Sequence, residues 1–446
     1  MGPPDPVNRC EGGLKMSMNA LQGIRVLDLS HVIAGPTASH YLTLQGAEVI
    51  KVEPPGKGDT YRWGKDSLDQ GVSVGFAAIN GGKQSLALDL KNLRAKELFT
   101  ELIGQADVFI ENYRPGAVAR LGFDYEQVRA IRPDIVYASI SGFGQEGEWA
   151  TRPAYDHVVQ SAMGMGWLQG EAEQDPVKVG FPVIDSATGM IAAQGILAAL
   201  FRRERQGKGA YLDISMAQAA LQLMWPTVSK VGMSGQDASR VGNRGFSGSP
   251  GAASFACADG WISIAANTAV QFQTLCHVLG VPDLTLDETL IDQVALKNGG
   301  FLVALSPERI HSLLSDSILK FKAEELEVSL SSQAVPCAIL RPLSQVLPEL
   351  MNGGRMTLPL RQTAYPGGMM RDFGSGYQAD SDPGHALAPA PRLGQHTRLI
   401  LQSLKVSEEE IAQLAARGVI RLEAKDEKIA RNTYNSRSET AAEKSS

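Results

Sequence analysis

The stretch GFPVIDSATGMIAAQG, residues 180–195, places one acid, Asp185, at the start of a long apolar run that begins with small residues. An aspartate at the start of a helix commonly caps it, because its oxygen accepts a hydrogen bond from a free amide and its charge suits the helix dipole. A carboxylate of ordinary pKa is also ionised at pH 7, so it can attack a carbonyl carbon without a general base. Taken alone, the residues favour the cap and leave the nucleophile open.

Basic and polar side chains recur where predicted strands end and in the turns that follow. They are Lys83, Lys91, Asn112, Arg114 and Arg120. In an open α/β sheet, ligands bind outside the carboxyl ends of the strands. These side chains could therefore hold the phosphates of a nucleotide-like ligand, or they could be the solvated faces of helices.

The elements that must position these groups alternate along the chain from Gly23. Strand-like segments such as GIRVLDLS, AEVIKVEPP and DIVYASISGFG are separated by helix-like segments such as KNLRAKELFTELIGQA. Repeated β-α-β units of this kind predict an α/β fold with a doubly wound parallel sheet. The first turn, HVIAGPTASH, supplies only Gly35 where dinucleotide binding needs three glycines, which argues against NAD or FAD.

Changes in composition predict the domain boundaries. The Gly- and Ser-rich stretch after Val228 and a hairpin signal at Asp259-Gly260 predict a second, smaller domain. The predicted divisions are a flexible leader at 1–20, the first part of the large domain at 21–225, the small domain with a Gly-rich loop at 226–340, a return linker with the rest of the large domain at 341–423, and a disordered tail at 424–446. Met16 and Met18 are alternative start sites to Met1.

Composition excludes several classes of protein. The net charge of −6 argues against a general nucleic-acid binder. The four cysteines, Cys10, Cys257, Cys276 and Cys337, form no CxxC pair, which predicts neither a metal site nor a disulfide framework and indicates a cytoplasmic protein. The apolar run GMIAAQGILAALF is shorter than the roughly 20 residues that span a bilayer. We therefore expect a buried helix and no membrane partner.

Several motifs, in order, carry a resemblance to a known family. They are VLDLSHVIAGP, LQGAEVIKVEPPGKGD, NGGKQSLALDL, ADVFIENYRPGAVARLGFDY, SISGFGQEG, AYDHVVQ, DSATG and RLGQHT. From about Leu21 to Ile420 the chain resembles the class III (family III) coenzyme A transferases, a family that includes formyl-CoA:oxalate transferases, carnitine CoA-transferase and the α-methylacyl-CoA racemases.

The resemblance implies an interlocked homodimer of two ring-like chains, each with a large Rossmann-like domain and a smaller α+β domain. Both chains would contribute to each active site. It also implies that acyl-CoA and small carboxylic acids are the substrates, with no tightly bound cofactor.

The resemblance makes Asp185 the nucleophile, which would form a mixed anhydride and then an aspartyl-CoA thioester. Asp156, in AYDHVVQ, matches a carboxylate that assists transfer in some members; the alternative for it is a helix cap. The run GNRGFSGSPGA matches in position a mobile loop over the aspartate, formed here by Gly245, Gly248 and Gly251. The alternative is a plain interdomain linker.

The resemblance also implies a set of contacts with CoA. It places Val32 near the pantetheine, Leu88 and Lys91 near the nucleotide, Asn112, Tyr113 and Arg120 around the adenosine phosphates, and Tyr155 and Met216 near the thiol end. His31 is expected to have a structural role.

Competing functions remain open at this point. Racemases of the family carry a histidine where this chain has Tyr155, which disfavours racemisation. A CoA-binding protein without turnover is the second alternative, and a nicotinamide oxidoreductase is the third. For the acyl group, Ile33 hints at an acid other than oxalate. Arg62 would either meet a second carboxylate or be an exposed turn residue.

Overall fold

The computed structural model describes residues 19–64, 67–68, 71–351, 361–365, 368–372, 374–377 and 387–423. Most of the predicted leader, with the alternative starts Met16 and Met18, lies outside these residues, as does the predicted tail at 424–446. Parts of the predicted return linker also lie outside them.

The elements are numbered in chain order. The strands are β1 (Arg25–Asp28), β2 (Glu48–Glu53), β3 (Ser67–Leu68), β4 (Val72–Ser73), β5 (Gln84–Leu88), β6 (Val108–Glu111), β7 (Val136–Ser141), β8 (Ala210–Ser215), β9 (Gly251–Ala256), β10 (Trp261–Ala266), β11 (Cys337–Ile339), β12 (Arg361–Tyr365), β13 (Gly368–Asp372) and β14 (Ile420–Arg421). The α-helices are α1 (Ala34–Leu44), α2 (Val74–Asn80), α3 (Leu93–Ile103), α4 (Ala117–Leu121), α5 (Tyr125–Ile131), α6 (Asp156–Ala162), α7 (Met165–Leu168), α8 (Val183–Gln206), α9 (Met216–Leu223), α10 (Trp225–Ser234), α11 (Ala269–Leu279), α12 (Gln293–Asn298), α13 (Pro307–Ile318), α14 (Ala323–Ser332), α15 (Leu343–Met351), α16 (Thr397–Ser403) and α17 (Glu408–Ala416). Short 3₁₀ helices lie at Thr60–Arg62 and Leu284–Leu286.

The chain divides into two compact units. The described residues within Met1–Val159, Phe181–Leu223 and Pro359–Ser446 form the large unit, and those within Gln160–Gly180 and Met224–Leu358 form the small unit.

A seven-stranded sheet, in the order β14-β5-β2-β1-β6-β7-β8, forms the centre of the large unit. Six of its strands are parallel, and β14 pairs antiparallel with β5 through Ile420 opposite Leu88. From β1 the chain adds β2 and β5 on one side. It then crosses to the other side of β1 and adds β6, β7 and β8 in turn. The α/β class with a mostly parallel sheet is thus confirmed.

Apolar side chains cover both faces of this sheet. On one face, residues such as Leu27 and Ile50 pack with Phe99 of α3 and Leu401 of α16. On the other face, Val26 and its neighbours pack with α1 and α8. Successive residues of β1 therefore face opposite layers, as a buried parallel strand requires.

Helix α8 is the long helix that the apolar run predicted, and it begins at the predicted site. It has 24 residues, and an 18-residue window within it has a mean hydropathy of 1.5, so it is long and apolar enough to cross a membrane, although the run within it was predicted to be too short. Half of its most apolar window is buried, and Ile184, Ala192 and Ile196 are among its buried residues. These are the contacts of a core helix. The absence of a membrane partner stays a prediction.

The small unit has its own core. Its three-stranded antiparallel sheet has the order β11-β10-β9, and β9 and β10 form the predicted hairpin at Asp259-Gly260. Phe255 of β9 and Ile262 of β10 pack against α11, α13 and α14.

Candidate active site

A pocket of about 240 Å³ opens where the strand order of the large sheet reverses, at β1 and β6. Its lining comes mainly from the segments that follow four neighbouring strands and from the start of α8. These residues are His31, Val32, Ile33 and Ala34 after β1; Asn112, Tyr113, Arg114 and Pro115 after β6; Ile140, Ser141 and Gly142 at β7; Met216 after β8; and Ala150, Arg152, Pro153, Ala154, Tyr155 and Asp185. Open α/β sheets bind their ligands at this position, outside the carboxyl ends of the strands.

Asp185 lies in the first turn of α8 and is half-buried in the pocket wall. One turn later, Gly189 brings α8 against the start of α1. A β-carbon at position 189 would lie 2.6 Å from the Thr37 Cβ and 2.8 Å from the Ala34 carbonyl oxygen. Because Asp185 and Gly189 share one face of the helix, this close approach sets the carboxylate beside the segment after β1.

Asp156 has a different role from Asp185. Its Oδ2 accepts hydrogen bonds from the backbone amides of Ile184 and Asp185, at 2.7 and 3.0 Å. Asp156 therefore caps the first turn of α8, a helix that begins 27 residues later. This contact supports the helix-cap alternative for Asp156, at the start of α8. Its assistance to transfer stays a prediction.

No described residue donates a hydrogen bond to the Asp185 carboxylate. The backbone amides of Ile184 and Asp185, at the start of α8, donate to Asp156 instead. Burial, together with repulsion from the Asp156 charge, raises the pKa of Asp185 to about 7. The expectation of an ordinary pKa was wrong, because the Asp185 carboxyl is buried and lies beside a second carboxylate. Asp185 itself does not cap α8, whose cap residue is Pro182.

The segment after β1 is held in a strained conformation. Val32 has φ of +67°, in the left-handed region that a β-branched side chain disfavours. Its amide donates to both oxygens of Asp59, at 3.0 and 3.2 Å. On the other side, His31 exchanges backbone hydrogen bonds with the Asn112 side chain, each 2.8 Å long. These bonds compensate for the strain and fix the pocket wall.

Three buried ion pairs lie beneath this segment. Lys51 pairs with Asp59 at 3.0 Å, Lys83 with Asp28 at 3.3 Å, and Arg62 with Glu53 at 2.7 Å. All six side chains are fully buried. Burial lowers the pKa of Lys83 to about 8, although Asp28 opposes that shift.

These pairs correct two expectations. Arg62 is neither an exposed turn residue nor available to a substrate carboxylate, because Glu53 binds it and Phe76 lies 3.9 Å from its guanidinium. Lys83 is likewise inaccessible to a phosphate.

The structure brings together six of the ten residues proposed as catalytic or CoA-binding. Val32, Asn112, Tyr113, Tyr155, Asp185 and Met216 line the pocket. Leu88 is a core residue of β5, 2% exposed, while Lys91 and Arg120 are exposed outside the pocket lining. His31 combines the expected structural role with a place in the lining, and its ring nitrogen lies 3.2 Å from the Tyr113 hydroxyl.

The predicted glycine loop belongs to the small unit. The Gly245 amide bonds to the Ala252 carbonyl at 2.7 Å, Gly248 has φ of +70°, and Gly251 begins β9. A positive φ accounts for glycine at 248, and close packing within that unit accounts for glycine at 245 and 251. A role over Asp185 stays a prediction. Within the described ranges, no cluster of three His, Cys, Asp or Glu side chains could hold a metal ion.

Sequence reasoning missed three features of the site. Arg152 lines the pocket and did not figure among the candidates; Arg114 figured only as a general basic residue. Gly189 was quoted within DSATG but not recognised as the contact point of α1 and α8. The interval of four residues from Asp185 was the available signal, because it places both on one helix face.

Most of the chain is similar to proteins of one family. Residues 21–397 match the model of CoA-transferase family III. The chain belongs to this family. It is 33% identical over 412 residues to succinyl-CoA:glutarate CoA-transferase of Mus musculus, covering 91% of each chain. It is 32% identical over 430 residues to formyl-CoA:oxalate CoA-transferase of Streptomyces coelicolor, covering 91% of this chain and 100% of that one.

A solved structure extends the likeness to three dimensions. A CAIB/BAIF family protein from Brucella suis superposes with a TM-score of 0.73 at 28% identity, covering 86% of this chain and 99% of that chain. The family III protein described here is accordingly a CoA-transferase, and CoA thioesters are its substrates. The pocket at β1 and β6 is the candidate active site for that reaction.

Proposed function

We propose that this CoA-transferase moves CoA from an acyl-CoA thioester to a free carboxylic acid through covalent intermediates on Asp185. One observation carries the proposal. The Asp185 carboxylate lines the pocket at the strand reversal and has no hydrogen-bond donor among the described residues, whereas the Asp156 carboxylate is occupied by two amides. Asp185 is thus the carboxylate left available for chemistry.

The first half of the reaction loads the enzyme. An Asp185 oxygen attacks the thioester carbonyl, the C–S bond breaks, and CoA leaves as a thiolate, giving a mixed anhydride. The thiolate then attacks the Asp185 carbonyl carbon. This step releases the donor acid as a carboxylate and leaves an aspartyl-CoA thioester.

The second half reverses these steps with the acceptor. The acceptor carboxylate attacks the aspartyl thioester, displaces CoA thiolate and forms a second anhydride. CoA then attacks the acceptor's acyl carbon, which regenerates the Asp185 carboxylate. Charge and atoms balance without any net proton transfer.

The surroundings of Asp185 suit this cycle. A carboxylate with a pKa near 7 is a stronger nucleophile than an ordinary one, and about half of it is ionised at pH 7. Apolar lining residues such as Ile140 and Met216 limit water around the hydrolysable anhydride.

The acids named for the similar proteins support a substrate class. Glutarate and oxalate are both dicarboxylic acids, and further relatives of this chain are named for mesaconate and D-citramalate transfer. The donors named for the similar proteins include succinyl-CoA, formyl-CoA and acetyl-CoA. We infer that the acceptor here is a small dicarboxylic acid and that the donor is a small acyl-CoA such as succinyl-CoA.

The family resemblance supports a further proposal, an interlocked homodimer, and the scattered, unpaired cysteines support a cytoplasmic location. Light scattering on the purified chain would give twice the chain mass for a dimer; a monomer at working concentration would contradict that assembly.

Hydroxylamine trapping tests the covalent mechanism. Hydroxylamine cleaves an acyl anhydride or aspartyl thioester and leaves a hydroxamate on the enzyme. After incubation with an acyl-CoA, peptide mapping should find this mass change at Asp185, and it should be absent from D185N. A hydroxamate at another residue, or transfer by D185N at the wild-type rate, would overturn the proposal.

Racemisation is measured separately, with the same enzyme preparation and no hydroxylamine. Tyr155 occupies the pocket position at which racemases of the family carry histidine. We expect no exchange of the α-proton of a branched acyl-CoA in deuterium oxide.

A further inference from the structure

The charges lining the pocket are unequal. Among the described lining residues, Asp185 is the sole acid, whereas two residues, Arg114 and Arg152, carry a positive guanidinium group. Burial lowers the pKa of His31, so its ring adds no positive charge at pH 7. The pocket that contains the nucleophile therefore carries more positive than negative charge, which suits an anionic ligand.

The Arg152 guanidinium stacks on an aromatic side chain that is itself packed against a second ring. Its guanidinium lies 4.1 Å from the centre of the Trp149 ring, and its amide bonds to the Trp149 carbonyl at 2.9 Å. Trp149 in turn packs edge-on against Phe143, with ring centres 5.3 Å apart. A stacked guanidinium keeps its hydrogen-bonding fork free for a planar anion.

The backbone after Arg152 is fixed against the end of β7. A β-carbon at Gly142 would lie 2.3 Å from the Ala154 Cβ, so the segment from Arg152 to Tyr155 approaches the strand end closely. Glycine at 142 permits this approach. Arg152 is thus set by a turn, a ring contact and a tight backbone contact.

Arg152 also lacks a counterion within the described ranges of the chain. Among the described residues, no carboxylate lies within ion-pair distance of it, in contrast to the buried Lys51, Arg62 and Lys83. Arg114 is also unpaired in that part of the chain, but no aromatic ring contact fixes it. Arg152 is therefore the better-organised anion receptor of the two.

We propose that Arg152 binds the second, non-reacting carboxylate of a dicarboxylic acyl group while the first carboxyl carbon reacts at Asp185. This assignment rests on the proposed function and adds to it the residue that selects the substrate class. Arg62, buried against Glu53, cannot perform this task.

The test compares two CoA thioesters of equal chain length. Succinyl-CoA ends in a carboxylate, and butyryl-CoA ends in a methyl group at the same position. The preference of the wild type is the ratio of kcat/KM for the two donors, measured with one acceptor acid. In R152Q we expect this ratio to fall by about tenfold or more, because the site then lacks the partner of the distal carboxylate.

Two further variants sharpen the comparison. R152K keeps the charge but loses the fork and the stacking, so we expect an intermediate ratio. R114Q removes the same charge from the same pocket, and we expect its ratio to stay within about twofold of the wild type, since the preference depends on one organised cation.

Several outcomes would overturn the assignment. If R152Q weakens both donors equally and also weakens CoA binding, Arg152 binds a CoA phosphate or the reacting carboxylate instead. An unchanged ratio in R152Q would exclude any role in selection. Failure of the covalent mechanism would be visible separately, as the absence of a hydroxamate in the wild type with either donor.

Discussion

At the residue scale, the site depends on two aspartates whose surroundings differ. Asp156 accepts two backbone hydrogen bonds and stabilises the start of α8. Asp185 receives none from the described residues and is buried beside that charge, which raises its pKa to about 7. Paired carboxylates with unlike environments are a common way for an active site to separate a structural role from a reactive one.

The first prediction concerns the pH dependence of loading. Only the ionised Asp185 attacks, so the rate of adduct formation from acyl-CoA should fall below about pH 7, approaching tenfold per pH unit. D156N removes the neighbouring charge while keeping an oxygen for the α8 amides. We expect the pKa of the acidic limb to move downward in D156N.

Single-turnover measurements of adduct formation from pH 5 to 8.5 would give the pKa of the acidic limb for the wild type and for D156N. An acidic limb at the ordinary aspartate pKa in the wild type would contradict the raised pKa of Asp185. An unchanged or higher pKa in D156N would show that the Asp156 charge does not contribute to it.

At the element scale, the segment from Ser30 to Ile33 is held by groups outside itself. Lys51 donates to the Ser30 carbonyl at 2.7 Å and pairs with Asp59, whose oxygens receive the strained Val32 amide. The strain persists because several bonds determine the same conformation.

The second prediction tests this arrangement. D59A should lower kcat for transfer, because alanine has no oxygen to accept the Val32 amide and the pocket wall relaxes from its left-handed conformation. Glycine adopts that conformation without strain, so adding V32G to D59A should restore part of the lost kcat. If the double variant is no better than D59A, the loss comes from the unpaired Lys51 charge rather than from the backbone of Val32.

The third prediction concerns the contact of α1 with α8. A β-carbon at Gly189 meets Thr37 and the Ala34 carbonyl at under 3 Å, so G189A should force the helices apart. We expect a loss of about 1–3 kcal/mol in the free energy of unfolding and a fall in kcat, since Asp185 moves with the helix.

Gly195 of the same helix provides the matched control. A β-carbon there would lie 3.6 Å from Leu212, an ordinary contact. G195A should be neutral or slightly stabilising, because alanine favours helix by about 1 kcal/mol. Denaturant unfolding of both variants decides, and equal effects at the two positions would contradict the close-approach argument.

At the scale of the whole molecule, local sequence patterns predicted the parallel sheet but not the long-range contacts that hold the site together. The β-α-β alternation predicted a parallel sheet with a ligand at the strand ends, and the pocket lies there. The capping of α8 by Asp156, the pairing of Arg62 with Glu53 and the conformation of Val32 were not predictable. Each arises from a contact between segments distant in sequence, which no local pattern records.

The C-terminal segment illustrates the same limit. SEEEIAQLAARGVI reads as one helix, and α17 does form within it. Its end instead becomes β14, which pairs with β5 at the sheet edge. Register against a strand more than 300 residues earlier overrides the local helical pattern.

The fourth prediction links the nucleophile to the stability of the whole chain. Because the pKa of Asp185 is about 7 in the folded chain and about 4 when unfolded, the folded state binds more protons between those values. Its contribution to stability therefore falls as pH rises through this window. D185N, which has no charge, should be more stable than wild type at pH 8, by about 2–4 kcal/mol.

This advantage should shrink toward pH 4. Thermal or denaturant unfolding of both proteins across that range measures the difference. An advantage independent of pH would mean that burial of the Asp185 charge is not its cause.

The most direct test of the central claim is the intact mass of the chain after a rapid acid quench. Wild type and D185N would be incubated with succinyl-CoA and then chased with glutarate. The proposed function predicts an acyl or CoA adduct on the wild type that disappears during the chase as glutaryl-CoA forms, and no adduct on D185N. An adduct of equal yield on D185N, or transfer by wild type that passes through no adduct at any quench time, would contradict it.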